Sequence, residues 1–182
     1  MITYRQAVKN GENQLRAVGF EFEAKLLMLE LTREQGIDLY FSEDETIPKE
    51  LLQCFEEGIQ RLSLQEPLSY ILGYSWFYGR KMLVDQRVLI PRNETEELVA
   101  LVLGEMDTYF NQETPVCVFD VGTGSGAIAI SMKAEFNQAE VYASDISQEA
   151  LIVAQENARR NDCEITFLKG DMLQPFIQEK VK

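Results

Sequence analysis

The sequence predicts an α/β fold in three parts: a small helical N-terminal domain over residues 1–72, a β-hairpin linker over 73–92, and a parallel β–α–β sheet over 93–182. Three observations predict it. Apolar residues recur at helical spacing through the first third of the chain. An aromatic, glycine-punctuated stretch follows. Three short apolar runs then each end in an acid, the first of them leading into a glycine-rich turn.

The first helix is expected to open on a capping box, with Thr3 as N-cap and Gln6 at the N3 position, and to run towards Val18-Gly19. A second helix is read over 21–34, its broad apolar face drawn from Leu26, Leu27, Leu29, Glu30 and Leu31, with Gly36 at its C-terminal end. Pro48 suits the first turn of a third helix, in which Leu51, Leu52, Phe55, Ile59 and Leu62 share one face. These stripes read as core, and no catalytic constellation lies among them.

Residues 81–84 and 87–90 are expected to pair as strands around Asp85-Gln86, with Pro91 ending the second. Asn93 is expected to cap the next helix with Glu96 at N3, and Leu98, Val99, Leu101, Val102 and Met106 to form its buried face. Asn111 to Pro115 read as the loop into the sheet.

Residues 116–121 read as a short buried strand containing Cys117. It ends at Asp120-Val121, and Gly122, Thr123, Gly124, Ser125 and Gly126 make the turn into a helix. A strand, a glycine turn and a helix in that order bring backbone N–H groups and a helix N-terminus beside a ligand. Asp145 ends the second run about 20 residues beyond the loop, where an acid can accept bonds from ribose hydroxyls. Gly170-Asp171-Met172 ends the third. The three tips suggest one adenosyl-type ligand lying across the same sheet edge. Glycine turns and strand-end aspartates also occur in α/β proteins with no such ligand.

The chain has 182 residues, 46% of them hydrophobic, and a net charge of −13. That composition supports a packed core and argues against a phosphate-tracking nucleic-acid binder. It is compatible with a basic protein partner. With no histidine, imidazole-based catalysis and zinc ligation are excluded. Cys54, Cys117 and Cys163 form no C-x-x-C pair and read as reduced thiols of a cytoplasmic protein. No signal peptide and no membrane-length apolar run is read.

The strand, glycine loop and strand-end acids resemble the S-adenosylmethionine-dependent methyltransferases. The resemblance implies that Asp120 with the loop Gly122 to Gly126 holds the methionine portion of S-adenosyl-L-methionine, that Asp145 holds the ribose, and that Asp171 with Met172 flanks the adenine. Glu66-Pro67-Leu68-Ser69-Tyr70-Ile71-Leu72-Gly73, Phe77-Tyr78-Gly79 and the segment from Leu89-Ile90-Pro91-Arg92-Asn93-Glu94-Thr95-Glu96 to Val99 sharpen it. They are similar to the PrmC/HemK family, bacterial protein-(glutamine-N5) methyltransferases of peptide chain release factors. The resemblance implies a Rossmann-like methyltransferase sheet of which residues 93–182 supply the first half, a helical domain that helps bind the release factor, and methylation of the glutamine in its Gly-Gly-Gln loop. It also sets Arg92 to Glu96 near the site.

The family's catalytic Asn-Pro-Pro-Tyr segment does not occur in this sequence, so no catalytic residue is assigned. The chain reads as C-terminally truncated and, by itself, inactive. The strand at 116–121 is then expected to be an uncovered edge through which the chain self-associates. Two other readings stand beside this one. One is a non-catalytic fragment that binds the cofactor or the release factor. The other is a nicotinamide or flavin oxidoreductase, which the G-x-G-x-G spacing and the acid two residues ahead of it disfavour.

Overall fold

A computed structural model describes residues 2–110 and 114–179. The chain divides into two compact units, Met1–Leu72 and Gly73–Lys182.

In the first unit, Thr3 caps α1 (Tyr4–Leu15) through the reciprocal Thr3–Gln6 capping box. A 3-10 turn over Arg16–Val18 ends at Gly19, which is left-handed. Helix α2 (Glu21–Glu34) closes on Gly36, also left-handed, with Ile37 N–H bonded back to Thr32 O and Gly36 N–H to Arg33 O. Asp38 caps a short α3 (Leu39–Ser42) that the sequence reading passed over. Pro48 sits at the N-cap of α4 (Lys49–Ser63) rather than inside its first turn. A further short helix, α5 (Leu68–Leu72), ends the unit.

The core of this unit joins Tyr4, Leu15, Leu27, Met28, Phe55 and Leu62. The face of α2 is rotated from expectation: Ala24, Leu27, Met28 and Thr32 are buried, while Leu26 is half exposed.

In the second unit, β1 (Tyr74–Phe77) pairs with β2 (Arg80–Leu83), so the hairpin lies several residues earlier than the sequence pattern suggested. Tyr78 and Gly79 are both left-handed, at φ 48° and 73°, which suits a two-residue turn whose twist matches the strands. The expected second strand is diverted by Asp85. Its carboxylate takes both the backbone N–H and the guanidinium of Arg87, and Val88 N–H folds back onto Asp85 O.

Helix α6 (Asn93–Tyr109) starts from Arg92 with no side-chain cap. The carboxylate of Glu96 instead accepts the Tyr78 N–H at 2.9 Å, which anchors the hairpin turn to α6. Val99 and Met106 are buried, whereas Leu98 and Leu101 are at least half exposed and Val102 is partly exposed, so the buried stripe is narrower than expected. Of the loop read over 111–115, residues 111–113 lie outside the described residues.

The sheet follows: β3 (Cys117–Val121), α7 (Ala127–Glu135), β4 (Glu140–Asp145), α8 (Gln148–Arg160), β5 (Thr166–Lys169) and α9 (Gln174–Gln178). The strands are parallel in the order β3-β4-β5, so all three C-terminal tips share one edge. Val118, Val141, Ala143 and Phe167 pack with Ile130 and Met132 of α7.

On the other face, Phe119 stacks on Tyr142 at 5.5 Å and meets Phe176 of α9 edge-on at 5.0 Å. Because β3 is an edge strand here, Cys117 and Phe119 are exposed, contrary to the expected buried strand. Among the described residues no helix is long and apolar enough to cross a membrane.

Candidate functional site

The site is built at the tips of β3, β4 and β5. Gly122, Gly124 and Gly126 are all left-handed, at φ 74°, 55° and 82°. A side chain at Gly126 would press on Ile130 and Ala154, both about 3 Å away, so crowding adds there to the strain of a left-handed backbone. At Gly122 and Gly124 a Cβ would meet no atom within 4 Å, and the loop's outer side is open there.

The loop is tied to its neighbours mostly by its own backbone. Gly122 N–H and Thr123 N–H both donate to the Ser144 carbonyl, at 2.8 and 2.9 Å, and Gly126 N–H donates to Thr123 O. Gly124 N–H donates to Asp145 Oδ2 at 2.9 Å. The N–H groups expected to face a ligand are therefore committed within the protein at these four positions.

Asp120 is buried beneath the loop. Its Oδ2 accepts the Thr123 hydroxyl at 2.6 Å and the Ala129 N–H at 3.2 Å, so it caps the first turn of α7 from outside the helix. Burial pushes its carboxyl above the ordinary carboxylate value and the Asp145 charge adds to this, while its two hydrogen bonds act the other way.

Asp145 is half-buried at the tip of β4. Oδ2 takes Gly124 N–H and Oδ1 takes Ser147 N–H at 2.9 Å. Each oxygen keeps a lone pair beyond these bonds, so the carboxylate can still receive hydroxyl donors. The Asp145 carbonyl accepts Gly170 N–H at 3.1 Å, which ties the β5 tip to the β4 tip.

Met172 is exposed and left-handed at φ 48°, an unusual conformation for an unbranched side chain, and its carbonyl accepts the Ser144 hydroxyl at 3.3 Å. Asp171 is exposed, and its carbonyl starts α9 through Gln174 N–H. The structure thus brings the loop, Asp145, Gly170 and Met172 together around Ser144, with Asp120 supporting them from below.

Sequence reasoning missed two residues. Ser144 holds the loop with its carbonyl and Met172 with its hydroxyl, and is 1% exposed. Asn157, fully buried on α8, bonds the Ser125 carbonyl at 2.9 Å. A signal for Asn157 existed: it shares a helix face with the buried Ala150, Ala154 and Ala158.

Residues 6–73 match the PrmC N-terminal domain, and residues 118–181 match a methyltransferase domain. The chain is 36% identical over 183 residues to the release factor glutamine methyltransferase of Staphylococcus aureus, covering 100% of this chain and 64% of that protein. It is 39% identical over 179 residues to the protein of the same name from Bacillus subtilis, covering 98% and 62%. Of solved structures, the ribosomal protein L11 methylase from Lactobacillus delbrueckii subsp. bulgaricus is similar at 34% identity and a TM-score of 0.36, over 46% of this chain and 41% of that one. The chain therefore spans less than two thirds of the length of these curated relatives.

Proposed function

We propose that this chain, which joins a PrmC N-terminal domain to a methyltransferase domain, binds S-adenosyl-L-methionine at its glycine loop and serves the N5-methylation of the glutamine in the Gly-Gly-Gln loop of peptide chain release factors. Its relatives at 36% and 39% identity carry the name of that activity.

The observation that carries the cofactor reading is how the loop N–H groups are spent. A dinucleotide pyrophosphate needs such groups directed at it. Here those of Gly122, Thr123, Gly124 and Gly126 go to the Ser144 carbonyl, the Asp145 carboxylate and Thr123 O. What remains is an open loop surface beside a carboxylate, which suits a cationic, phosphate-free adenosyl ligand. In this reading Gly122 to Gly126 and Asp120 hold the methionine portion, Asp145 the ribose, and Asp171 with Met172 the adenine. Bound there, the cofactor would supply an electrophilic methyl group.

The acceptor is a poor nucleophile, because an amide nitrogen shares its lone pair with the carbonyl. The reaction therefore depends on holding that nitrogen in line and on acceptors aimed at its N–H hydrogens. The sequence contains no Asn-Pro-Pro-Tyr, so the direct test is binding rather than turnover. S-adenosylhomocysteine is expected to raise the thermal midpoint by several degrees at a hundredfold excess over its Kd, and NADH to leave it unchanged. The reverse ranking would make the oxidoreductase reading the better one.

The N-terminal unit is proposed to recognise the release factor. Phe22, Tyr40 and Phe41 are exposed on it, large apolar side chains of the kind that dock a protein, and Lys25 Nζ lies 4.8 Å from the centre of the Tyr40 ring. Direct nucleic-acid binding is not part of this reading, given the charge of −13. Self-association through the outer edge of β3 is a second partner proposal, supported by the terminal place of β3 in the order β3-β4-β5. A single monomeric species in sedimentation at high concentration would overturn it. A cytoplasmic location follows from the same translational role.

A further inference from the structure

Asn157 is 0% exposed, yet it is an amide on a helix face otherwise made of Ala150, Leu151, Val153, Ala154 and Ala158. Its side chain satisfies three backbone groups. Oδ1 accepts Leu83 N–H at 2.6 Å, and Nδ2 donates to Leu83 O at 3.0 Å and to Ser125 O at 2.9 Å. Only one orientation of the amide fits, because the N–H needs an acceptor and both carbonyls need donors.

Leu83 stands opposite Tyr74 in the hairpin and turns its N–H and C=O outward, where the amide meets them as a neighbouring strand would. Ser125 sits between Gly124, whose N–H is held by Asp145, and Gly126, whose N–H is held by Thr123. One buried amide thus joins the outer edge of the hairpin to the middle of the glycine loop.

We propose that Asn157 is a positioning residue for the loop's ligand and makes the hairpin part of that site, so that occupancy of the loop is felt at Leu83. The inference rests on the adenosyl reading of the loop. Opening of Leu83 from Asn157 frees the amide that holds Ser125. A ligand that needs Ser125 in place must therefore suppress that opening.

The test is amide hydrogen exchange by NMR, with and without S-adenosylhomocysteine at about a hundredfold excess over its Kd. The Leu83 amide is expected to slow by up to about a hundredfold, as 1 plus the ratio of free ligand to Kd. The Val88 amide, bonded to Asp85 O in the same connector, is the reference and stays unchanged. Asn157→Asp keeps an acceptor for Leu83 N–H but sets an oxygen against the two carbonyls. It is expected to weaken binding about tenfold and to abolish the response at Leu83.

If Gly124 slows with ligand while Leu83 does not, the ligand is bound and the inference is overturned. If neither slows, the adenosyl reading falls and takes the inference with it. Should the variant fail to fold, the exchange of the wild-type protein decides alone. A folded variant that keeps both affinity and the Leu83 response also overturns the inference.

Discussion

Asp145→Ala is expected to cost the second unit about 2 kcal/mol of stability and to weaken S-adenosylhomocysteine binding ten- to a hundredfold. The stability loss comes from two backbone donors. Gly124 N–H and Ser147 N–H both end on this carboxylate, one from the glycine loop and one from the start of α8. The site is half-buried, so water replaces part of what is lost, and the figure stays well below the sum of two charge-assisted bonds. The affinity loss is separate, since the hydroxyls of the ribose would lose their charged acceptor.

Asp145→Asn separates the two effects. The amide offers one oxygen where two donors converge, so one of the backbone bonds must go while the side-chain volume is kept. Urea denaturation gives the first quantity and calorimetric titration the second. A variant that is destabilised but binds with unchanged affinity would place the ribose away from Asp145.

Asp120→Asn is expected to remove a pH dependence from folding. Burial holds the folded Asp120 carboxyl above its ordinary value of 3.8. The folded state therefore keeps this proton more tightly than the unfolded chain. At pH above the folded value the buried charge is present and its penalty is felt in full. As pH falls through the folded value towards 3.8 the penalty is relieved, so this group's contribution to stability rises towards acid.

The amide can reproduce both hydrogen bonds, because the Thr123 hydroxyl and the Ala129 N–H converge on the same oxygen, Oδ2. The stability of the wild-type protein relative to the variant should then climb on acidification, by about 1.4 kcal/mol for each unit by which the carboxyl is raised. Urea midpoints across the acid range measure the difference. A flat difference, or one that grows towards neutral pH, would mean that burial does not govern this carboxyl.

Much of the fold and of the site could be read in the sequence because it is written in residues that do local work. The glycines take left-handed conformations in place. Asp145 stands at a strand end, and the Thr3–Gln6 box is a contact three residues long. What escaped was non-local or carried by the backbone. The key acceptor for the loop is the carbonyl of Ser144, a group every residue has. Glu96 passes over its own helix for the Tyr78 amide 18 residues earlier.

The sequence pattern sets the hairpin too late because Val84 and Val88 look like strand residues, although the Asp85–Arg87 pair turns the chain between them. Exposure on β3 depends on which strands flank it, and periodicity within the strand carries no information about that.

The Asn157 clamp also has a consequence for solubility. An isolated two-stranded ribbon is marginal in water, and each of its outer edges offers backbone groups to any extended chain that drifts by. In β2 the groups of Leu83 at that edge are already taken by a side chain that cannot propagate a sheet. At Leu83, therefore, a single amide takes the place that a third strand would need.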